Sequence, residues 1–283
     1  MNKNKKIIIS IALISLFALY GVGRYLITPH QTNIGDIPQN IKKARAVSFP
    51  SKSGAQISGW LFSQTEGKGG VLLLHGVKSN RLQMLSRAIF LQKAGYKVLL
   101  IDFQAHGESI GKNITFGGLE ALDVDASYKY LADRVCNPTI AIIGVSLGGA
   151  SALLSSAKSR AKVMILESVY PTIEEAIKDR LEIYLGSFGR YLSPLLTLQL
   201  KPSLGFGIDD LRPIDAVSKV EGAVVIIAGS KDKHTTIEES KRLFNRASKP
   251  KELWIVDGKH QDFHKLLGKE YENKILDYLS RWM

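Results

Sequence analysis

Along most of the chain, short unbroken apolar runs alternate with longer stretches in which apolar positions recur at helical spacing. The runs at residues 71–74, 98–101, 140–143, 163–165, 224–227 and 253–256 carry no polar break, which is the pattern of strands buried on both faces. Between them, residues 81–94, 119–135, 147–158, 237–247 and 266–282 predict helices. Thr236 with Glu239 three positions on gives the fourth of these a capping-box start, and Gly95 stops the first. Ahead of the series, alternating residues 46–50 and 55–62, joined by Ser51-Lys52-Ser53-Gly54, predict an antiparallel hairpin. Strands and helices in alternation imply an α/β fold with a mostly parallel central sheet covered by helices on both faces.

Three segments depart from this rhythm. Residues 7–23 are apolar and uncharged behind Lys3, Lys5 and Lys6, the layout of a signal sequence with a positive cytoplasmic flank. As a helix they reach about 25 Å against a hydrocarbon core of roughly 30 Å, so length does not separate an anchor from a cleaved signal. The expectation is an N-terminal signal anchor or signal peptide over residues 1–28. In either case the domain behind it lies outside the cytoplasm, membrane-anchored or else secreted after cleavage; a buried helix is the remaining alternative. Residues 29–43, with Pro29 and Pro38, read as a linker, and residues 44–283 as the domain. Residues 168–222 exceed what one crossover helix needs and predict a small lid-like insertion. Its Leu181, Tyr184, Leu185, Tyr191, Leu192, Leu195 and Leu196 either line an entrance for an apolar substrate or pack on the body.

Composition narrows the function classes. At 283 residues, 45% hydrophobic and 23% charged, the chain suits one globular domain rather than disorder. The single cysteine, Cys136, excludes an internal disulfide and reads as a small apolar filler beside Val135. With no partner cysteine and no H-E-x-x-H, no metal site is expected. The net charge of +12 includes Lys3, Lys5, Lys6 and Arg24 around the apolar segment, and the rest is spread without a basic run or interleaved aromatics. Nucleic-acid binding is therefore not expected, whereas an anionic membrane surface suits a mildly basic body.

The candidate chemistry centres on Gly144-Val145-Ser146-Leu147-Gly148, a G-x-S-x-G between an expected strand and an expected helix. Glycines there let the chain turn sharply and present a serine hydroxyl as a nucleophile. A serine needs a base, and after such an elbow the partners follow in the order acid, then histidine. That order sets aside His30, His75 and His106. Of the later histidines, His260 follows the last apolar strand, His264 falls at the start of the last helix, and His234 falls on the surface before a helix. For the acid, Asp232 follows the strand at 224–227, with Glu167 as its rival at the end of the preceding strand. Leu74-His75-Gly76-Val77 closes the first parallel strand, so the N–H groups of Val77 and Leu147 are the expected oxyanion donors, with His75 a packed support.

His75-Gly76, the stretch from Asp102 to Ser109, the elbow, Gly229-Ser230-Lys231-Asp232 and Gly258-Lys259-His260, in that order, resemble the α/β-hydrolase superfamily. The likeness covers residues 47–283 and is strongest to its compact lipase-, esterase- and serine aminopeptidase-like branch. It implies Ser146 as nucleophile, Asp232 as acid, His260 as base, and Val77 with Leu147 as oxyanion donors. One departure stands out: Gln104-Ala105 occupies the place of the Arg-Gly in the family's D-x-R-G-H-G-x-S, which puts local packing in question more than catalysis. The expected activity is hydrolysis of a carboxylic ester or thioester, without a cofactor, on a small acyl ester or lipid-like substrate. A serine peptidase or amidase is the alternative within enzymes, and a non-catalytic binding protein the alternative outside them. Sequence gives no oligomeric state.

Overall fold

The computed structural model describes residues 3–39, 41, 43–63, 67–136 and 139–283. In chain order come α1 (Lys3–Leu26), the short strand β1 (His30–Gln31), β2 (Ala44–Pro50), β3 (Gln56–Phe62), β4 (Gly70–Leu74), α2 (Leu85–Lys93), β5 (Lys97–Ile101) and the short β6 (His106–Gly107). They are followed by α3 (Glu120–Ala132), β7 (Ile140–Val145), α4 (Leu147–Leu154), β8 (Val163–Glu167) and four helices: α5 (Ile173–Leu185), α6 (Ser193–Thr197), α7 (Leu200–Leu204) and α8 (Pro213–Ala216). The chain closes with β9 (Ala223–Gly229), α9 (Ile237–Arg246), β10 (Lys251–Val256), α10 (Phe263–Leu267) and α11 (Lys269–Trp282).

Eight strands form one sheet in the order β10-β9-β8-β7-β4-β5-β3-β2. The six strands from β10 to β5 are parallel, and the hairpin β2–β3 joins antiparallel at one edge. The apolar runs feed two cores by strict alternation. Leu72, Leu74, Ile140, Ile142, Met164, Leu166, Val224 and Ile226 face one core, where Val124 and Leu131 of α3 and Leu153 of α4 meet them. Val71, Leu73, Ala141, Ile143, Val163, Ile165, Val225 and Ile227 face the other, against Ala88 and Leu91 of α2 and Ile275 and Leu279 of α11. Each fully buried aliphatic side chain contributes about 1.5–3 kcal/mol, and a period of two over an uninterrupted run supplies both faces at once. The sheet order reverses around β4, whose neighbours β5 and β7 lie on opposite sides. A crevice opens beyond the carboxyl ends of strands at such a point.

Several expectations meet corrections. β10 is an edge strand with Ile255 exposed, not a strand buried on both faces. The last helix divides at Gly268, whose φ of +53° suits glycine, and Asp262 caps the shorter half by accepting from the N–H groups of His264 and Lys265. Cys136 is exposed rather than a buried filler, because α3 and the buried Val135 end just before it. Residues 168–222 form the four helices α5 to α8, and α9 has its capping box, with the Thr236 hydroxyl accepting from the Glu239 N–H and the Glu239 carboxylate from the Thr236 N–H.

The N-terminal segment was expected as a signal anchor or signal peptide, with a buried helix as the alternative. Among the described residues, no helix is long and apolar enough to cross a membrane. The end of α1 is laid against the body instead: it packs on α6, Leu19 and Leu26 touch the first core, and Ile27 is buried. The described residues of the expected linker, 29–39, 41 and 43, are tied down as well. β1 pairs parallel with β6, the N–H groups of Ile34 and Gly35 donate to the Glu108 carboxylate, and Ile34, Ile37 and Ile41 pack against the second core.

Candidate active site

Ser146 stands at φ 49°, ψ −111°, between the last residue of β7 and the first of α4. A non-glycine residue in this region is strained and persists only where the surroundings fix it. The Ser146 N–H donates to Glu167 O at 2.8 Å, and Ser146 O accepts from Ala150 N–H at 3.0 Å, so a neighbouring strand and the first helical turn hold both sides. The two motif glycines serve close approach. A Cβ at Gly144 would lie 2.5 Å from Gly149 N, and one at Gly148 would lie 2.4 Å from Leu74 O. Ser146 is 3% exposed, and its Oγ makes no hydrogen bond among the described residues.

Asp232 and His260 leave the carboxyl ends of β9 and β10 and meet at 2.8 Å, His260 Nδ1 to Asp232 Oδ2. The other carboxylate oxygen, Oδ1, accepts from the N–H groups of His234 at 2.8 Å and Thr235 at 3.0 Å. Burial pushes the Asp232 carboxyl up, but its bond to His260 and these two amides outweigh that and hold it below the usual carboxylate range. Ionised Oδ2 makes Nδ1 the protonated nitrogen of His260 and leaves Nε2 as an acceptor. Ser146, His260, Gly76 and Val77 line one cleft of about 300 Å³. Val77 opens a turn pinned by the Gly76 N–H donating to Gln83 Oε1 at 2.7 Å, and Leu147 is the first residue of α4.

The other candidates are engaged elsewhere. Glu167, the rival acid, is taken by Arg87, whose Nη2 lies 2.8 Å from Oε2, and by the Tyr271 hydroxyl, 2.5 Å from Oε1. His75 donates from Nδ1 to Gly76 O and accepts at Nε2 from Phe103 N–H. Burial, with His106 nearby, pulls its pKa down to about 3 and keeps it neutral. His264 sits in α10 between Ser86 and Glu272. His234 departs from expectation: it is half-buried, its ring centroid 5.0 Å from that of His260. Burial first, then the neighbouring His260 and Arg180, lower its pKa.

Beside the cleft lies a larger cavity of about 440 Å³, within the ~300–1,000 Å³ usual for small-molecule sites. It shares Val77, Arg180 and His234 with the cleft and is otherwise largely apolar, with Tyr170, Ile173, Ile177, Leu181 and Tyr184 of the insertion and Phe116 and Leu147 of the body. Of the lid residues expected at an entrance, Leu181, Tyr184 and Leu196 line this cavity.

Residues 65–205 match the family described as "Serine aminopeptidase, S33". The chain is 24% identical over 252 residues to the uncharacterized protein YqkD of Bacillus subtilis, covering 87% of this chain and 83% of that one. It is 27% identical over 241 residues to an uncharacterized protein of Mycobacterium tuberculosis, covering 83% and 79%. Among solved structures, the Pyrococcus furiosus esterase Pf2001 superposes with a TM-score of 0.76 at 23% identity, over 91% of this chain and 98% of that one. The chain has the α/β-hydrolase fold.

In this α/β-hydrolase fold Gln104-Ala105 is accommodated. Gln104 is buried and its amide donates to Glu120 Oε1 at 2.7 Å and Asn113 O at 2.8 Å, while Ala105 takes φ 59°, a backbone region that favours glycine. The rest of that stretch is structural: buried Asp102 accepts from Arg81 and from the Glu108 N–H, and the Ser109 hydroxyl donates to Asp102 O. Arg180 and His234 are the two site residues that sequence reasoning missed. His234 is followed into the cleft only by knowing that its own N–H closes a turn on Asp232, and Arg180 only by knowing how α5 folds back.

Proposed function

We propose that this chain is a serine hydrolase that cleaves carboxylic ester or thioester bonds. Ser146 Oγ attacks the acyl carbonyl, His260 Nε2 takes the proton and returns it to the leaving group, and Asp232 holds the imidazole and offsets its charge. The N–H groups of Val77 and Leu147 receive the developing oxyanion, each worth on the order of 3 kcal/mol in the transition state. Water then releases the acyl group by the same steps, with no cofactor required. The observation that carries the reading is the 2.8 Å Asp232–His260 contact in the cleft that Ser146 lines, joined to an apolar cavity suited to an acyl chain. The likeness to an esterase agrees with it.

The family description also brings forward an aminopeptidase. Such an enzyme holds the substrate's free ammonium on a carboxylate. Here the charged side chain shared by cleft and cavity is Arg180, beside His234, whose lowered pKa keeps it neutral, and Arg87 engages both Glu167 and Asp262 of the cleft. A basic lining favours an ester, or an acyl substrate with an anionic group, over an N-terminal amine. Delivery to or across a membrane rests on the sequence layout of residues 1–28 alone, and fractionating cells that express a C-terminally tagged chain tests it.

The decisive experiment is labelling with a fluorophosphonate probe. The folded protein is expected to label and Ser146→Ala to lose the label; a folded wild type that stays unlabelled rejects the hydrolase in favour of a binding protein. A panel of p-nitrophenyl esters beside aminoacyl p-nitroanilides then separates esterase from peptidase.

A further inference from the structure

The larger cavity is closed by residues that sequence placed outside the domain. Val22, Tyr25 and Leu26, the last turn of α1, line it together with Ile177, Leu181 and Leu196 of the insertion. We propose that this turn is the acyl-selecting wall of the enzyme, and that Val22, Tyr25 and Leu26 set the chain length the cavity accepts. The proposal rests on the acyl-hydrolase reading.

Three attachments fix the wall in place. α1 approaches α6 and the residues after it closely: a Cβ at Gly23 would lie 2.4 Å from Gln199 Oε1, and the Gln199 amide donates to Leu19 O at 3.5 Å. Lys78, next to the oxyanion residue Val77, donates to Tyr25 O at 3.1 Å and sets its ammonium 3.8 Å from the Tyr25 ring centroid, a cation–π contact. Directly after the helix, Ile27 is buried, its carbonyl accepts from Ile114 N–H at 2.8 Å, and β1 pairs with β6. The wall is thus tied to the insertion, to the oxyanion turn and to the β5–α3 connection.

The cavity shares Val77, Arg180 and His234 with the cleft of Ser146, so an acyl chain leaving the nucleophile runs into it. A short acetyl group stays within the cleft; a longer chain reaches the wall. Val22 is 44% and Tyr25 69% exposed, so substitutions there reshape the cavity more than the core.

The test compares kcat/KM for p-nitrophenyl octanoate and p-nitrophenyl acetate on the full chain. Filling the cavity with Val22→Trp is expected to lower the octanoate-to-acetate ratio about tenfold. A fall of about threefold or more in folded, probe-reactive protein supports the wall, and a smaller change overturns it. If Val22→Trp does not fold, Tyr25→Ala, which breaches the wall, is judged by the same ratio and threshold. Phe17→Ser changes an exposed residue of the same helix outside the cavity and is expected to keep the wild-type ratio. An equal shift there would assign the effect to α1 as a whole and overturn the wall. A folded wild type that cleaves neither ester and takes no probe defeats the hydrolase reading itself, which is distinct from an active enzyme with an unaltered ratio.

Discussion

Asp232 divides its two oxygens between tasks, and the division predicts what an isosteric change does. Oδ1 is committed to the His234 and Thr235 N–H groups, so in Asp232→Asn the carbonyl oxygen stays there and the amide nitrogen turns towards His260. That nitrogen donates to Nδ1, leaves the proton on Nε2 and takes away the acceptor that the proposed mechanism uses as its base. The expected outcome is a folded protein whose kcat for an ester falls about 10³–10⁴-fold, measured beside an unchanged circular dichroism melt. The placement of Ser146 at a strand-to-helix turn and the pairing of Asp232 with His260 were legible because each residue follows an apolar run in a fixed order. His234 was not, since the exposed Lys231 and Lys233 around it look like any solvated turn. Nor could spacing reveal that Arg87, 80 positions away, already engages Glu167.

Between α5 and α9 two carboxyls face each other, Asp179 and Glu239, both buried. Burial first, and then Asp179, push Glu239 up to about 8. A raised pKa in the folded state means stability fully present below the ordinary glutamate range and lost as pH rises through about 8. Glu239→Gln keeps an oxygen for the capping box at Thr236 and removes the repulsion. Its melting temperature is expected to exceed that of the wild type by about 3 °C or more at pH 9, with the gap closing at pH 5. Equal pH slopes for the two proteins would exclude the carboxyl pair as a cause. The capping box was readable because its two members lie three positions apart; the opposing Asp179 was not, because it lies on the insertion, whose apolar pattern left its contact face open. The division of the last helix at Gly268 was missed for a related reason: the apolar period continues across it.

At the scale of the molecule, buried Arg87 of α2 binds Glu167 at the end of β8, the Tyr271 hydroxyl of α11 and the α10 cap Asp262. One guanidinium thereby fastens the first crossover to the C-terminal helices. Glu167→Ala leaves that charge short of its main partner, and a loss of about 3 kcal/mol or more is expected by urea denaturation. The parallel sheet and its two cores were written in the apolar runs, but such ties, and the docking of α1, are made across distances that no local pattern encodes. That docking has a consequence for synthesis. Leu19 leaves the ribosome 180 positions ahead of Gln199, on which it rests, an interval on the order of 10–40 s at about 5–20 residues per second. α1 is thus synthesised before its seat, and Leu19 and Leu26 have no insertion to pack on until residues 168–222 have been translated.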